Sequence, residues 1–324
     1  MDSIVSLAAQ NLISPIILSF VLGVLAALAR SDLSFPEAVA KGMSLYLLFA
    51  IGFKGGVAVA QNGVDGQLAA ALLAGVILSA ALPFAAYLLL RLMTKLSPLD
   101  AAAVAAHYGS ISIVTFVAAS SVLEAQQILF EGYMVAVAAA MEAPAIISAL
   151  WLISRSVGDR SMNSELMREI LLNGSIVLLI GSFVIGWVTG TDGLSEIKSF
   201  ITDPFKGVLC LFLLDMGLVA GRGLRRARGT VSVAVVAFGL IMPVLGAGAG
   251  LLAGLVLGLM PGGVVLLMVL SASASYIAVP AAMRVALPEA NPAVSLTLSL
   301  AITFPFNLTL GIPLYIATAL AMTG

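Results

Sequence analysis

Two apolar stretches of the chain carry hydroxyl groups in an arrangement that a plain membrane-spanning helix does not require. One stretch, Ala106 to Thr115, contains the sole histidine of the sequence, and the other runs from Ser271 to Pro280. Backbone at membrane depth can leave the helix only where protein or a water-filled cavity satisfies its amides and carbonyls. We therefore predict that each stretch is a broken helix, that the two breaks face each other, and that they line a binding site.

Such breaks could hold small ions of either charge. A half-helix that begins at a break presents amide N–H groups and the positive end of its dipole, which suit a small oxyanion. A half-helix that ends there presents carbonyls, which together with hydroxyls suit a hard cation such as Na⁺. The candidate anion ligands are Gly109, Ser110, Ile111, Ser112, Ser273, Ser275 and Tyr276. The candidate cation ligands are Ser112, Thr115, Ser271, Ser273, Glu142, Asp215 and Asn307.

Ionisable residues within apolar segments are further candidates. Glu142 and Asp215 lie mid-span, where either could bind a coupling cation or a proton, because acids inside a membrane are functional candidates by default. His107 could relay a proton or contact an anion, since its charge changes near neutral pH. The alternatives are acids that pair for packing or stay protonated, a neutral histidine bonded to a carbonyl, and serines that serve only helix contacts. Lys54 has no counterpart in the repeat described below, and we expect its side chain to extend outward.

The segments that must position these residues are strongly apolar. Hydrophobic residues make up 61% of the chain and charged residues 10%, which indicates an all-α polytopic membrane protein rather than a soluble domain. Polar residues, glycines and prolines divide the sequence into ten apolar segments. They cover residues 12–29, 37–60, 68–93, 99–122, 130–154, 169–190, 204–221, 230–259, 262–286 and 292–320. The chain starts without a basic region, so we expect no cleavable signal peptide.

The basic residues predict the orientation in the membrane. Lysine and arginine are retained in cytoplasmic loops, and all but three of the 15 basic residues fall in the odd-numbered connections. The exceptions are Lys54, Lys198 and Lys206. Both termini are therefore predicted to lie on the extracytoplasmic side of a bacterial inner membrane, with the joint at 155–168 on the cytoplasmic side.

The two halves of the chain repeat at an offset of 165 positions. Matched pairs include Gly52 and Gly217, Gly56 and Gly221, Ser110 and Ser275, and Glu142 and Asn307. This register indicates an internal duplication. Because each copy holds five spans, the second must be inverted, an arrangement typical of secondary transporters. We assign residues 1–160 to the first five-helix repeat and 161–324 to the second, with a substrate-binding core and a gate or oligomerisation part interleaved between them.

Three stretches resemble the sodium-dependent bicarbonate transporter family known from cyanobacteria and other bacteria. They are Ala106 to Ser112, Asp203 to Gly207, and Ser275 to Pro280 with its continuation from Met283 to Pro292. The resemblance implies ten spans in inverted repeats, a homotrimer, and import of bicarbonate with Na⁺ where the broken fourth and ninth spans cross. It also implies that a small trimeric regulator of the P-II type could bind on the cytoplasmic face.

The sequence departs from this family at one position of the second break. Where the best-known members carry an aspartate after the serines, this chain has Tyr276. Glu142 or Asp215 could supply the negative charge instead. The long acidic cytoplasmic insert of some members is also absent, since the joint between the halves is short.

The sequence thus predicts a secondary active transporter that couples the uptake of bicarbonate, or a similar small monoanion, to Na⁺ by alternating access. One alternative is a Na⁺- or H⁺-coupled symporter of a small organic anion. Another, of a different class, is a membrane sensor or scaffold for a P-II-like regulator. No Walker motif, metal-ligand cluster or catalytic triad is visible in the sequence, so we expect no enzyme, no cofactor beyond Na⁺ and no nucleic-acid partner.

Overall fold

The computed structural model describes residues 13–63, 66–157, 174–227, 232–277 and 289–323, with residues 168, 172, 279, 280, 283 and 287 between them. Within these ranges the regular structure is helical and no strand is present, which confirms the predicted all-α class. The helices are α1 (Pro15–Leu28), α2 (Glu37–Asn62), α3 (Gly66–Met93), α4 (Pro98–Gly109), α5 (Ile113–Ala125), α6 (Met134–Ala140), α7 (Glu142–Val157), α8 (Gly174–Ile201), α9 (Phe205–Ala227), α10 (Val233–Val256), α11 (Pro261–Ala272) and α12 (Pro292–Thr323).

Eight stretches within the described ranges are long and apolar enough to cross a membrane. Helices α4 and α5 together form one of them, and α6 and α7 form another. The first and ninth of the ten predicted spans are represented only by the shorter apolar helices α1 and α11. Helix α1 is short because Ser14 caps it and Pro15 is its first residue, and α11 is short because the chain leaves the helix after Ala272. The structure therefore supports eight of the ten spans at full length.

Two pairs of helices cross at very short distance because glycines line the contact. Helix α1 packs along α9, where a Cβ added to Gly217 would collide with the backbone of Phe20 and Gly23. Helix α2 packs along α8, where a Cβ added to Gly56 would collide with the backbone of Phe183. Small residues favour helix association in lipid because they let the backbones approach and gain van der Waals contact.

The remaining helices surround α4 and α5. The most apolar part of the stretch Pro98–Ala125 is buried throughout, because α3 and α7 pack against α4 while α11 packs against α5. By contrast, only about a quarter of the most apolar part of α3 and of α8 is buried (28% and 22%), and large aliphatic side chains lie on the outside. An apolar exterior around a closed interior is what a bilayer requires.

Polar side chains fix where several helices begin. Ser97 caps α4 by accepting a hydrogen bond from the N–H of Asp100 (3.0 Å), and Ser232 caps α10 by accepting from Val235. Asn291 caps α12, and its own N–H donates to the Asp100 carboxylate (2.8 Å). This contact ties the beginnings of α4 and α12 together, so both helices run from the same end of the molecule towards the breaks.

Candidate functional site

The first break separates α4 from α5. Helix α4 ends at Gly109, Ser110 is extended (φ −87°, ψ 153°), and the Ser112 side chain begins α5 by accepting from the N–H of Thr115 (3.3 Å). Position 109 has room only for glycine, because an added Cβ would collide with the ring of Pro83 in α3. The chain thus leaves the helix in the middle of a membrane-length stretch, and the N–H groups of the first turn of α5 face this break.

The second break follows α11. Ser273 is extended (φ −84°, ψ 162°) directly after Ala272, residues 273–277 are irregular, and residues 279–280 are helical again. The side-chain amide of Asn307 in α12 donates to the carbonyl of Ala272 (2.9 Å). It thereby satisfies one of the carbonyls that the end of α11 leaves without a helical partner.

The two breaks contact each other through buried hydrogen bonds. The N–H of Ser112 donates to the hydroxyl of Ser273 (2.9 Å), and the N–H of Ser275 donates to the carbonyl of His107 (2.8 Å). The ring nitrogen Nδ1 of His107 is bonded in turn to the carbonyl of Ser275. Because a carbonyl oxygen only accepts, Nδ1 must carry the proton. His107 therefore holds the second break in place. This contact matches the alternative of a histidine bonded to a carbonyl.

One carboxyl group reaches the crossing. The hydroxyl of Ser110 donates to Oε2 of Glu142 (3.0 Å), and both side chains are buried. Glu142 is the first residue of α7 and follows the turn at Met141 that ends α6. At the matching place in the second half the sequence has Asn307, whose amide contacts the other break.

A small cavity lies between the two breaks. Its volume is about 10 Å³, which is room for about one water molecule. The lining residues are Ile111, Ser112, Ile113, Glu142, Ser175, Ser275, Tyr276 and Ile277. Glu142 is the only one of them that can carry a negative charge at neutral pH. A ligand larger than water therefore requires the residues around this space to move apart.

Tyr276 joins the second break to neighbouring helices. Its ring packs edge-on against Phe304 of α12, with 5.4 Å between the ring centroids, and its hydroxyl lies near Ser112. Phe304 packs in turn against Phe20 of α1, with centroids 5.3 Å apart. Position 276 of this chain is therefore occupied by an aromatic packing residue.

Five of the seven proposed cation ligands do not line the cavity, namely Thr115, Ser271, Ser273, Asp215 and Asn307. The hydroxyl of Thr115 donates to Ser112 (2.9 Å) within the first turn of α5. Ser271 is buried in α11, and its hydroxyl has no hydrogen-bond partner among the residues that the structure describes. Asp215 is buried in α9, where Arg222 of the same helix is its charged neighbour. Over the described ranges, no hydrogen bond connects Asp215 with either break.

Two buried tyrosines that the sequence analysis did not consider support the breaks. Tyr108, next to the end of α4, donates to Thr303 of α12 (2.6 Å), which donates to the carbonyl of Gly239 (2.8 Å). Tyr315 donates to the side-chain oxygen of Asn307 (2.8 Å). The sequence does indicate where the partners of these tyrosines lie. Thr303 and Asn307 are polar residues four positions apart in an apolar segment, a spacing that places both on one helix face.

Helix α12 is irregular where it carries these residues. π-helical hydrogen bonding runs over Thr297–Thr303 and Asn307–Gly311, with the short α-helical turn Phe304–Phe306 between them. A π turn accommodates an extra residue and is frequent at functional sites. Thr303 and Asn307 are both completely buried on the side of α12 that meets the breaks.

These features define an all-helical polytopic membrane protein in which two interrupted stretches meet at a buried site, a construction found in secondary transporters. The sequence profile of the Na⁺-dependent bicarbonate transporter superfamily matches residues 15–320, nearly the whole chain. The chain therefore belongs to this superfamily, which confirms the family predicted from the sequence. A comparison with curated proteins found no match.

Proposed function

We propose that this protein carries out Na⁺-coupled uptake of bicarbonate, or of a similar small monoanion, by alternating access. The observation that carries the proposal is the buried crossing, where the N–H of Ser112 meets Ser273 and the N–H of Ser275 meets His107. Amide N–H groups at the start of α5, with hydroxyls from both breaks, suit an oxyanion. The buried carboxyl of Glu142 suits a cation beside it.

A cation and an anion bound side by side would stabilise each other at this depth. An isolated ion is very costly to bury, whereas a pair in which both members are also hydrogen-bonded lowers that cost. In our proposal Na⁺ contacts the Glu142 carboxylate and the nearby hydroxyl of Ser110, while the anion contacts the first turn of α5. The two solutes are then coupled, because neither binds well without the other.

The proposed motion moves one group of helices against another. The gate group consists of α1, α2, α8 and α9, whose closest packing is of α1 on α9 and of α2 on α8. The core group consists of α3 to α7 and α10 to α12 and carries both breaks. Each of these two pairs joins a helix of the first half to a helix of the second half. This pairing supports ten spans in an inverted duplication over residues 1–160 and 161–324. Gly56 and Gly217 support it too, since both are repeat-matched glycines at these crossings.

The size of the cavity favours a small solute over a larger organic anion. The space between the breaks holds about one water molecule. A bicarbonate ion therefore requires only a modest separation of the breaks, whereas a carboxylate with several carbons requires displacement of Tyr276 or the isoleucines beside it. For this reason we place the organic-anion symporter second.

The family resemblance and the charge distribution extend the proposal to the cellular setting. We expect a homotrimer in the bacterial inner membrane, with both termini on the extracytoplasmic side and a P-II-like regulator as a possible cytoplasmic partner. Native mass spectrometry of the purified protein, with and without such a regulator, tests the oligomer and the partner. A reporter fused to Gly324 tests the orientation, and cytoplasmic activity of that reporter would contradict it.

Uptake of labelled bicarbonate into proteoliposomes tests the coupling. We expect an inward Na⁺ gradient to drive accumulation, and an equal K⁺ gradient to drive none. Competition by unlabelled acetate or lactate distinguishes the organic-anion alternative, because a carrier of such solutes would be inhibited by them at concentrations near their own KM. Uptake that is indifferent to Na⁺ would contradict the coupling.

Serine substitutions separate a carrier from a scaffold. Ser110→Ala and Ser275→Ala remove hydroxyls at the breaks and should each lower uptake at least tenfold, a loss of about 1.4 kcal/mol of binding. Ser195→Ala is the matched control, because Ser195 is exposed in α8 and its hydroxyl bonds only the carbonyl of Asp192 (2.7 Å). A scaffold that only binds a regulator would keep that binding in all three variants. In that case the unmodified protein would also show no uptake of bicarbonate.

A further inference from the structure

A second cavity lies beside α5, away from the crossing. It has a volume of about 260 Å³, far larger than the space between the breaks, and it lies between α2, α5, the start of α9 and residues 130–135. Phe116 lines it near the start of α5 and Glu124 near the end. These residues are eight positions apart, or about 12 Å along a helix, so the cavity leads along α5 towards the first break. We call it the outer vestibule.

The outer vestibule contains a lysine. Lys54 of α2 places Nζ 3.3 Å from Oε1 of Glu124 and 5.1 Å from the centre of the Phe205 ring. The side chain of Lys54 thus ends in an ion pair with the last turn of α5 and is 29% exposed. Phe205 is the first residue of α9, so the positive end of that helix dipole also lies at the vestibule.

The ion pair between Lys54 and Glu124 is the only one within 4.0 Å in the described part of the chain. Both side chains are partly exposed, at 29% and 40%, and such pairs contribute little because water and salt screen them. An anion that enters the vestibule can therefore displace the glutamate from the lysine at small cost. The pair also joins α2 of the gate group to α5 of the core group, which otherwise touch little.

We propose that the outer vestibule is a binding site for a small oxyanion of one negative charge, in which Lys54 supplies the positive charge and Glu124 is the partner that the anion replaces. The site would collect the anion on the extracytoplasmic side before it reaches the crossing. This inference rests on the proposed function for the direction of transport. The anion site itself rests on the cavity, the lysine, and the start of α9.

Charge-selective labelling of a cysteine in the vestibule tests the proposal without measuring transport. Ser120 lines the cavity, and Ser120→Cys in a Cys210→Ser background gives a protein with one thiol. Intact cells are treated from outside with an anionic sulfonatoethyl and a cationic trimethylammoniumethyl methanethiosulfonate. We expect the anionic reagent to react faster, and Lys54→Ala to lower the ratio of the two rates about tenfold, because one nearby charge sets the local reagent concentration.

Three further variants control the labelling experiment. Lys54→Arg should keep the ratio of rates within about twofold, and Glu124→Gln should raise it because the competing carboxylate is gone. Lys198→Ala should leave it unchanged, since Lys198 is exposed in α8 and does not line the cavity. Bicarbonate should slow labelling in the presence of Lys54 and have no effect in Lys54→Ala.

The outcomes separate this proposal from the proposed function. Equal ratios with and without Lys54, or a thiol that neither reagent reaches from outside, would overturn the vestibule site. A Lys54-dependent anion preference in a protein that transports no bicarbonate would preserve the site and overturn the transport proposal. If both hold, Lys54→Ala should raise the KM for bicarbonate about tenfold while kcat changes by less than about threefold.

Discussion

At the first break the hydroxyl of Ser110 contacts a carboxyl group, that of Glu142, whereas at the second break the carbonyl of Ala272 contacts an amide, that of Asn307. Glu142 and Asn307 occupy matching positions in the two halves of the sequence. The backbone at the two breaks is nearly the same, with φ and ψ of −87° and 153° at Ser110 and of −84° and 162° at Ser273. The two regions thus share a backbone shape and differ in the charge beside it.

In our proposal, this difference lets a duplicated backbone bind two unlike ions. Free N–H groups and carbonyls occur at both breaks because both are helix ends. Only the helix that packs against each break decides whether a charge is available there, and in this chain the charge is on the side of Glu142. The predictions below test whether that difference determines coupling, in order of decreasing expected effect.

Removal of the charge should have the largest effect. Glu142→Gln keeps the shape of the side chain and an acceptor for Ser110, so the fold should persist while Na⁺-driven uptake falls about 100-fold. This estimate follows from the 2–5 kcal/mol that loss of one buried charged partner typically costs. Initial uptake rates against Na⁺ concentration measure it, with Glu196→Gln, an exposed acid in α8, as the control. Uptake within threefold of the unmodified protein would mean that Glu142 does not bind the cation. Asp215 would then be the next candidate.

Crowding at the first break should affect stability next most strongly. Gly109→Ala places a methyl group against the Pro83 ring, and overpacking of this kind costs about 2 kcal/mol. Thermal unfolding in detergent should show a lower Tm than for Gly248→Ala, where an added Cβ would meet no atom of another helix within 4 Å. Equal Tm values for the two variants would mean that the first break is not tightly packed.

Loss of the amide at the second break should have a smaller effect than loss of the acid at the first. Asn307→Leu removes the bond to Ala272 and leaves the Tyr315 hydroxyl without its partner. A buried group left unpaired costs about 1–3 kcal/mol, so uptake should fall about tenfold with the Na⁺ dependence unchanged. Tyr315→Phe, which leaves the bond to Ala272 intact, should lower uptake less. A changed Na⁺ dependence in Asn307→Leu would mean that the second break also binds the cation.

Loss of a helix cap should have the smallest effect, and a cap away from the site provides a matched control. Ser112 caps α5 at the crossing and Ser232 caps α10 away from it, both by accepting an N–H three residues later. Substitution of either by alanine should cost about 1 kcal/mol of stability. Only Ser112→Ala should also lower uptake, as measured in proteoliposomes. Equal uptake in the two variants would remove Ser112 from the proposed anion site.

The sequence predicted the breaks because serines and a glycine in an apolar segment conflict with an uninterrupted spanning helix. It also predicted that Glu142 and Asn307 correspond, since both lie in the repeat register. It could not predict what each one contacts, because the carboxyl reaches Ser110 only through the turn at Met141. The second break also starts two positions earlier in the repeat than the first, which no pattern within one segment reveals.

Lys54 and Asp215 have neighbours that the local sequence does not reveal. Both lie in apolar segments, where the sequence predicts a lysine that extends outward and an acid that is a candidate cation ligand. In the structure Lys54 pairs with Glu124, 70 positions away, and Asp215 lies on α9, which packs chiefly against α1. Their environments depend on which helices become neighbours. The packing of glycine-rich helix faces determines these neighbours, and the local sequence around each charge does not.

The π-helical segment before Asn307 allows α12 to change length without changing which side chain meets the second break. Because a π turn accommodates one extra residue, deleting one residue within Thr297–Thr303 would convert the turn to an α turn and leave the residues that follow in register. The same deletion in a regular α-helix would rotate the residues that follow by about 100° and turn Asn307 away from Ala272. In an alignment of superfamily members, a one-residue gap within this π segment should therefore leave the polar residue at position 307 in place.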